Sequence, residues 1–104
     1  MMIATSPAIA GKNIVKTLGV VRGNTIRARH VGRDILAGLR MLVGGEISDY
    51  TKMMAEAREQ SLDRMTAEAQ QLGANAIVDV RFSTSYIMTG AAEILVYGTA
   101  VVLE

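Results

Sequence analysis

The chain has no cysteine and no tryptophan, and only one proline, one phenylalanine and one histidine among its 104 residues. Each shortage closes a class of chemistry. Without cysteine there is no disulfide, thiolate metal site, iron–sulfur cluster or cysteine nucleophile. The aromatic side chains are Phe82, Tyr50, Tyr86 and Tyr97, too few to floor a groove for single-stranded nucleic acid with stacking platforms. Excess charge is also missing. The net charge is +1, so no strong field draws in nucleic acid or an anionic membrane. Only Arg22, Arg27, Arg29 and Arg33 give a local density of basic residues. The longest apolar stretch, Ile94 to Leu103, is too short to span a bilayer and is broken by Gly98 and Thr99. Near the N-terminus, Ala8-Ile9-Ala10 has the look of a cleavage site. No basic region precedes it and Ser6-Pro7 interrupts the short apolar run, so we expect no signal peptide and a cytoplasmic protein.

Apolar residues, by contrast, are plentiful. They make up 50% of the chain, against 20% charged. A single domain over residues 1–104 is the expectation for this length. Its mass of 11.1 kDa corresponds to roughly 5,600 Å² of surface and a modest core. So small a core does not need that much apolar material, and burial against other copies would use the surplus.

The pattern along the chain is that of an α+β fold. Met1 to Thr5 reads as a short strand ended by Ser6-Pro7. Asn13 to Arg29 is rich in Val, Ile and Thr and reads as strand, with Gly23 marking either a hairpin turn at Gly23-Asn24 or a bulge in one bent strand. Ile35, Leu36, Leu39, Leu42 and Val43 form the stripe of a shorter helix, closed by Gly44-Gly45. A long amphipathic helix follows, with Ser48 or Asp49 as cap. Its apolar stripe is Tyr50, Met53, Met54, Ala57, Ser61, Leu62, Met65, Ala69 and Leu72, and Gly73 closes it. Val78, Val80 and Phe82 alternate with polar residues and predict a strand with one dry face. The last strand is apolar on both faces: Ile94, Val96, Ala100 and Val102 on one, Leu95, Tyr97, Val101 and Leu103 on the other. One helix layer covers only one face of a small antiparallel sheet, so the second face predicts a homo-oligomer.

Candidate chemistry is thin. His30 and Asp34 supply two donors of the four or so that a zinc site needs, and Gly32 lies between them. Glu46, Asp49 and Glu93 could hold a hard cation but show no calcium-loop spacing. Ser48, Ser61 and Ser83 lack a nucleophile elbow, and Leu42-Val43-Gly44-Gly45-Glu46 is neither a P-loop nor a dinucleotide fingerprint. Arg58, Asp79, Arg81 and Glu93 are charges set on otherwise apolar elements. Burying them demands partners: ion pairs between subunits, with Arg40, Glu46 or Glu93 as partners, or a polar pocket at a subunit junction that takes a small anionic or aromatic ligand.

Four segments in order, Gly44-Gly45-Glu46-Ile47 with Tyr50-Thr51, Ala57-Arg58 with Arg64-Met65, Leu72-Gly73-Ala74-Asn75-Ala76, and Tyr97-Gly98-Thr99-Ala100-Val101, follow an upstream Leu18-Gly19-Val20-Val21. Together they resemble the YbjQ family, bacterial proteins whose common label is heavy-metal binding. The resemblance covers essentially the whole chain. It implies a dodecin-like α+β subunit, a small antiparallel sheet packed by one long and one shorter helix, assembled into a ring of five. It also marks Arg40, Glu46, Tyr50, Arg58, Arg81, Glu93, Tyr97 and Thr99 as positions of interest, none of them catalytic. The expectation is a non-enzymatic homo-oligomeric binding or scaffolding protein. Its alternatives are a metal-binding protein using carboxylates and His30, and an enzyme using Glu46 or Glu93 as acid and base.

Overall fold

Three long strands and one long helix dominate the structure, a computed structural model that describes residues 1–28, 46–88 and 90–104, and the side chains of all of these except 46–50. The elements are β1 (Met2–Ile3), β2 (Ile14–Ala28), α1 (Glu46–Gln71), β3 (Ala76–Met88) and β4 (Ala91–Leu103). The sheet order is β1-β3-β4-β2, so β4 lies in the interior. At 15 residues, β2 alone spans about 50 Å, and the molecule measures 55 × 22 × 17 Å. The expected shorter helix at Ile35 to Val43 lies outside the described residues.

The sheet is mixed, which corrects the expectation of an antiparallel one. Both β2 and β3 run antiparallel to β4, but β1 pairs parallel with β3, Met2 opposite Ala76 and Ile3 opposite Ile77. The chain travels through β2 and α1 before returning to this edge, so no tight turn forces the two strands to oppose.

α1 lies on one face of β2 and β4 as its stripe predicts. Met54, Ala57, Ser61, Met65 and Ala69 are buried, Met53 and Leu62 partly so, and Leu72 is exposed. The helix begins at Glu46, so Ser48 and Asp49 fall in its first turn and not at the cap. Its end is as expected. Gly73 takes φ +87°, its N–H donates to Gln70 O at 3.0 Å, and the Ala74 N–H donates to Ala69 O at 3.1 Å. This is a Schellman closure, which glycine allows without a Cβ clash.

Gly23 makes neither the hairpin nor the bulge. The β2–β4 register runs unbroken from Gly19 to Ala28, and the shifts occur at Ile14/Lys16 and Thr17/Gly19. Gly23 instead faces the helix, and a Cβ there would overlap Ser61 O. It is the point of closest helix–sheet approach.

A second correction concerns β3. Val78, Val80 and Phe82 do not share a dry face. Asp79, with φ 52°, puts an extra residue into the strand and shifts the register between Val78 and Arg81. Val80 therefore joins the cluster under α1, with Val21, Met65, Ile77, Val96 and Ala100. Val78 faces the other way, with Ala76, Val101, Leu103 and Ile9. The chain's own N-terminal segment thus covers part of the second sheet face, Val101 and Leu103 included. The Asn75 side chain bridges this end of β4, donating to Leu103 O at 3.0 Å and accepting from Leu103 N at 2.8 Å. Losing both bonds in Asn75→Ala is expected to cost about 2 kcal/mol, read as a lower urea midpoint with unchanged slope.

Candidate functional site

Among the described residues, only the N-terminal segment packs on the sheet face opposite α1. Along β4, Ala92, Ile94, Val96 and Ala100 are buried beneath the helix, while Glu93, Leu95 and Thr99 are half-buried and Tyr97 is exposed on the other side. Pairing fixes their neighbours. Tyr97 stands between Arg22 of β2 and Arg81 of β3, Leu95 between Asn24 and Ser83, Glu93 between Ile26 and Ser85, and Thr99 between Val20 and Val78. Directly opposed residues on one face have Cβ atoms about 4.5–5.5 Å apart, within contact range. The face opposite α1 therefore carries a row of guanidinium, phenol and guanidinium. Two steps along β4 from Tyr97, past Leu95, lies a carboxylate.

The polar groups are held to different degrees. Arg81 is fixed, its Nη1 donating to Thr5 O at 2.8 Å and Val80 O at 2.9 Å. Its Nη2 lies 3.8 Å from Asp79 Oδ1, with both side chains about half exposed (53% and 48%). A pair so wet contributes little to stability. Asn24 Nδ2 donates to Glu93 Oε2 at 3.4 Å, the long end of the hydrogen-bond range. Around these groups, Val20 and Ile26 of β2 are exposed apolar side chains.

Of the positions marked from sequence, Arg81, Glu93, Tyr97 and Thr99 thus share one face. Arg58 does not join them. It is exposed on α1, on the other side of the sheet. Glu46 and Tyr50 belong to the first turns of α1, but their side chains lie outside the described residues, as does Arg40 altogether. Two members of the face escaped the sequence reading, Arg22 and Asn24. Alternation would have grouped them, but nothing in β2 announces which residues of β4 it meets.

Beneath α1 is one buried polar cluster. The Ser61 hydroxyl lies 2.9 Å from Thr25 Oγ1, 2.9 Å from Ala57 O and 3.1 Å from Ile94 O. With one proton to give, Ser61 donates to a carbonyl and accepts from Thr25, so both hydroxyls are satisfied. This cluster ties helix to sheet and offers no free group for chemistry.

A helix laid on one face of a four-stranded mixed sheet, with a polar row on the other, defines an α+β fold. The chain belongs to the YbjQ family, described as "Putative heavy-metal-binding", which it matches over residues 1–104. A UPF0145 protein of Methanosarcina acetivorans is 59% identical over 101 residues, 97% of this chain and 95% of the relative. Another, of Dehalococcoides mccartyi, is 57% identical over the whole of both chains. The family extends to archaea, wider than the bacterial spread expected. A crystal structure of a protein of unknown function from Pediococcus pentosaceus, of the DUF74 family, shares the fold with a TM-score of 0.61 and 17% identity. It covers 100% of this chain and 98% of its own.

The family description does not fit the donors of the described residues. Among them, no three His, Asp or Glu side chains converge as a metal site would require, and there is no thiolate to select a soft metal. His30 and Asp34 lie outside the described residues. No helix among the described residues is long and apolar enough to cross a membrane.

Proposed function

We propose that the protein is a homo-oligomeric binding or scaffolding protein, without catalytic chemistry of its own, that holds a small anionic or aromatic ligand where copies meet. The observation that carries this reading is the second half of β3. Eight consecutive residues, Arg81 to Met88, are exposed on both faces of the strand. Tyr86 is 75% and Met88 67% accessible, and Phe82 and Ile87 are also bare. A lone subunit would leave these side chains in water, at about 25 cal/mol for each Å² of apolar surface that a partner could cover. On the face opposite α1, the Arg22–Tyr97–Arg81 row supplies the binding chemistry, two cations flanking an aromatic ring. The family resemblance adds a ring of five as the form of the assembly.

Native mass spectrometry of protein purified without a metal-affinity tag tests this directly. The expected result is an oligomer carrying extra mass at a fixed ratio per subunit. A well-folded monomer at micromolar concentration would sink the proposal, and a bare oligomer would remove its ligand half.

A further inference from the structure

Three consecutive carbonyls of the N-terminal segment, those of Ala4, Thr5 and Ser6, accept from three consecutive residues of β3. The Val80 N–H donates to Ala4 O at 3.1 Å and the Asp79 N–H to Ser6 O at 3.0 Å. Between them, Arg81 Nη1 donates to Thr5 O at 2.8 Å. In a regular strand, successive N–H groups point to opposite edges. Those of Asp79 and Val80 point to the same edge, which the extra residue at Asp79 makes possible. The N-terminal segment is therefore a strap that recognises the bulge. Further ties run from the Met2 N–H to Asn75 O at 3.3 Å, from the Ala4 N–H to Ile77 O at 2.9 Å, and both ways between the Asn13 and Glu104 backbones at 2.9 Å. Little apolar burial adds to these. From Met1 to Lys12 only Ala4 and Ile9 are half-buried and the rest are exposed, so the strap is the kind of element that opens at far lower cost than global unfolding.

The bulge in turn sets the direction of Arg81. Val78 pairs with Thr99 and Arg81 with Tyr97, three steps along β3 against two along β4. Without the extra residue, the pairing of Val78 with Thr99 would bring Val80 opposite Tyr97 and turn Arg81 toward α1. Asp79 at φ 52° holds a conformation that a residue with a side chain keeps only where its surroundings impose it. The strap supplies that constraint, through the bonds to Asp79 and Val80. Resting on the reading of the Arg22–Tyr97–Arg81 row as an anion site, we infer that residues Ala4, Thr5 and Ser6 are its positioning element: the docked strap holds Arg81 beside Tyr97, and an anion bound there holds the strap. The guanidinium is divided accordingly. Nη1 is committed to Thr5 O and, at 2.9 Å, to Val80 O. Nη2 lies 3.8 Å from Asp79 Oδ1, a contact long enough to yield to an anionic oxygen at charge-assisted hydrogen-bond distance. Because Nη1 keeps the strap while Nη2 takes the ligand, the coupling is positive, and linkage makes it reciprocal.

Inorganic phosphate is the probe, added to the full chain as purified. At saturation it is expected to slow amide exchange at Asp79 and Val80 about tenfold, within the usual range of coupling between sites, and to leave Asn13 and Glu104, at the far end of the strap, unchanged. Ala4→Pro deletes the N–H bonded to Ile77 O and touches no member of the row. It should keep the wild-type circular dichroism, speed exchange at Asp79 and Val80, and weaken phosphate binding in calorimetry by about the same tenfold. A strap with a merely structural role would speed exchange without moving the affinity. Two results each overturn the coupling and leave the anion site standing: a folded Ala4→Pro that binds phosphate within about twofold of wild type, or wild-type exchange at Asp79 and Val80 that phosphate does not change. Should Ala4→Pro fail to fold, the wild-type exchange decides alone. A wild type that binds no phosphate overturns the anionic reading of the row, and the coupling with it.

Discussion

Gly23→Ala should destabilise the protein by about 3 kcal/mol or more, the upper range for overpacking. The reason is the seating of α1. A Cβ at Gly23 would overlap Ser61 O and stand 2.6 Å from Met65 N and 2.9 Å from Arg64 Cβ. Two of the three are backbone atoms of the helix, so no side-chain rotation relieves them. α1 would have to lift by about 1 Å, and a gap of that size forfeits a quarter to a half of each dispersion contact along the helix–sheet seam. The lift would also stretch the Ser61–Thr25 contact, now 2.9 Å. Strand propensity alone makes the opposite prediction, since replacing a strand glycine by alanine normally gains about 0.5–1 kcal/mol. Urea unfolding at fixed subunit concentration separates the two by sign. An unchanged or raised midpoint would mean that the helix does not sit on Gly23.

Met65→Ala is the second large effect, expected at 2–5 kcal/mol. Met65 is fully buried among Val21, Ala69, Ile77, Val96 and Ala100. Its unbranched side chain fills the space between α1 and three strands, and the flanking backbone is too well tied to collapse into the void. Leu72 belongs to the same sequence stripe yet is 47% exposed, so Leu72→Ala should cost well under half as much in the isolated subunit. If the two substitutions prove equal in a dissociated sample, α1 does not turn Met65 inward and Leu72 outward. Domains of this size hold only about 5–15 kcal/mol in total, so Met65→Ala could halve the stability of the fold.

The sequence and the structure agree where a residue has one physical meaning. The stripe from Met53 to Ala69 can only be a helix face, and Gly73 followed by Ala74 closes it with the expected pair of bonds. The alternation of β4 likewise set Leu95, Tyr97, Val101 and Leu103 on one face before any strand order was known. Agreement fails where one residue type serves several ends. A glycine within a strand is equally suited to a turn, a bulge or a close approach, and Gly23 turned out to be the third. Asp79 leaves no trace at all, because an aspartate at positive φ looks like any other polar residue between two valines, and it reversed the faces of Val78 and Val80. The candidate site was legible as one face of β4 but not as a row, since Arg22 and Asn24 join it through a pairing partner more than seventy residues away. The surplus of apolar side chains was visible from composition. Its location was not: part lies under the N-terminal segment, and exposed apolar side chains are shared between β2, at Ile14, Val15, Val20 and Ile26, and the end of β3, at Phe82, Tyr86, Ile87 and Met88.

The order of the strands also bears on how the chain is made. β4, which joins β2 and β3 and carries most of the sheet's hydrogen bonding, comes last of the five described elements. A ribosome emitting the chain from its first residue releases β2, α1 and β3 before the strand that unites them exists, and β2 and β3 do not touch each other directly. At about 5–20 residues per second, the uncharged Phe82–Met88 stretch emerges a second or so ahead of the partner it needs in its own subunit. A half-made chain therefore carries two long strands with no long partner among the described elements, and the arrival of β4 supplies one to both at once.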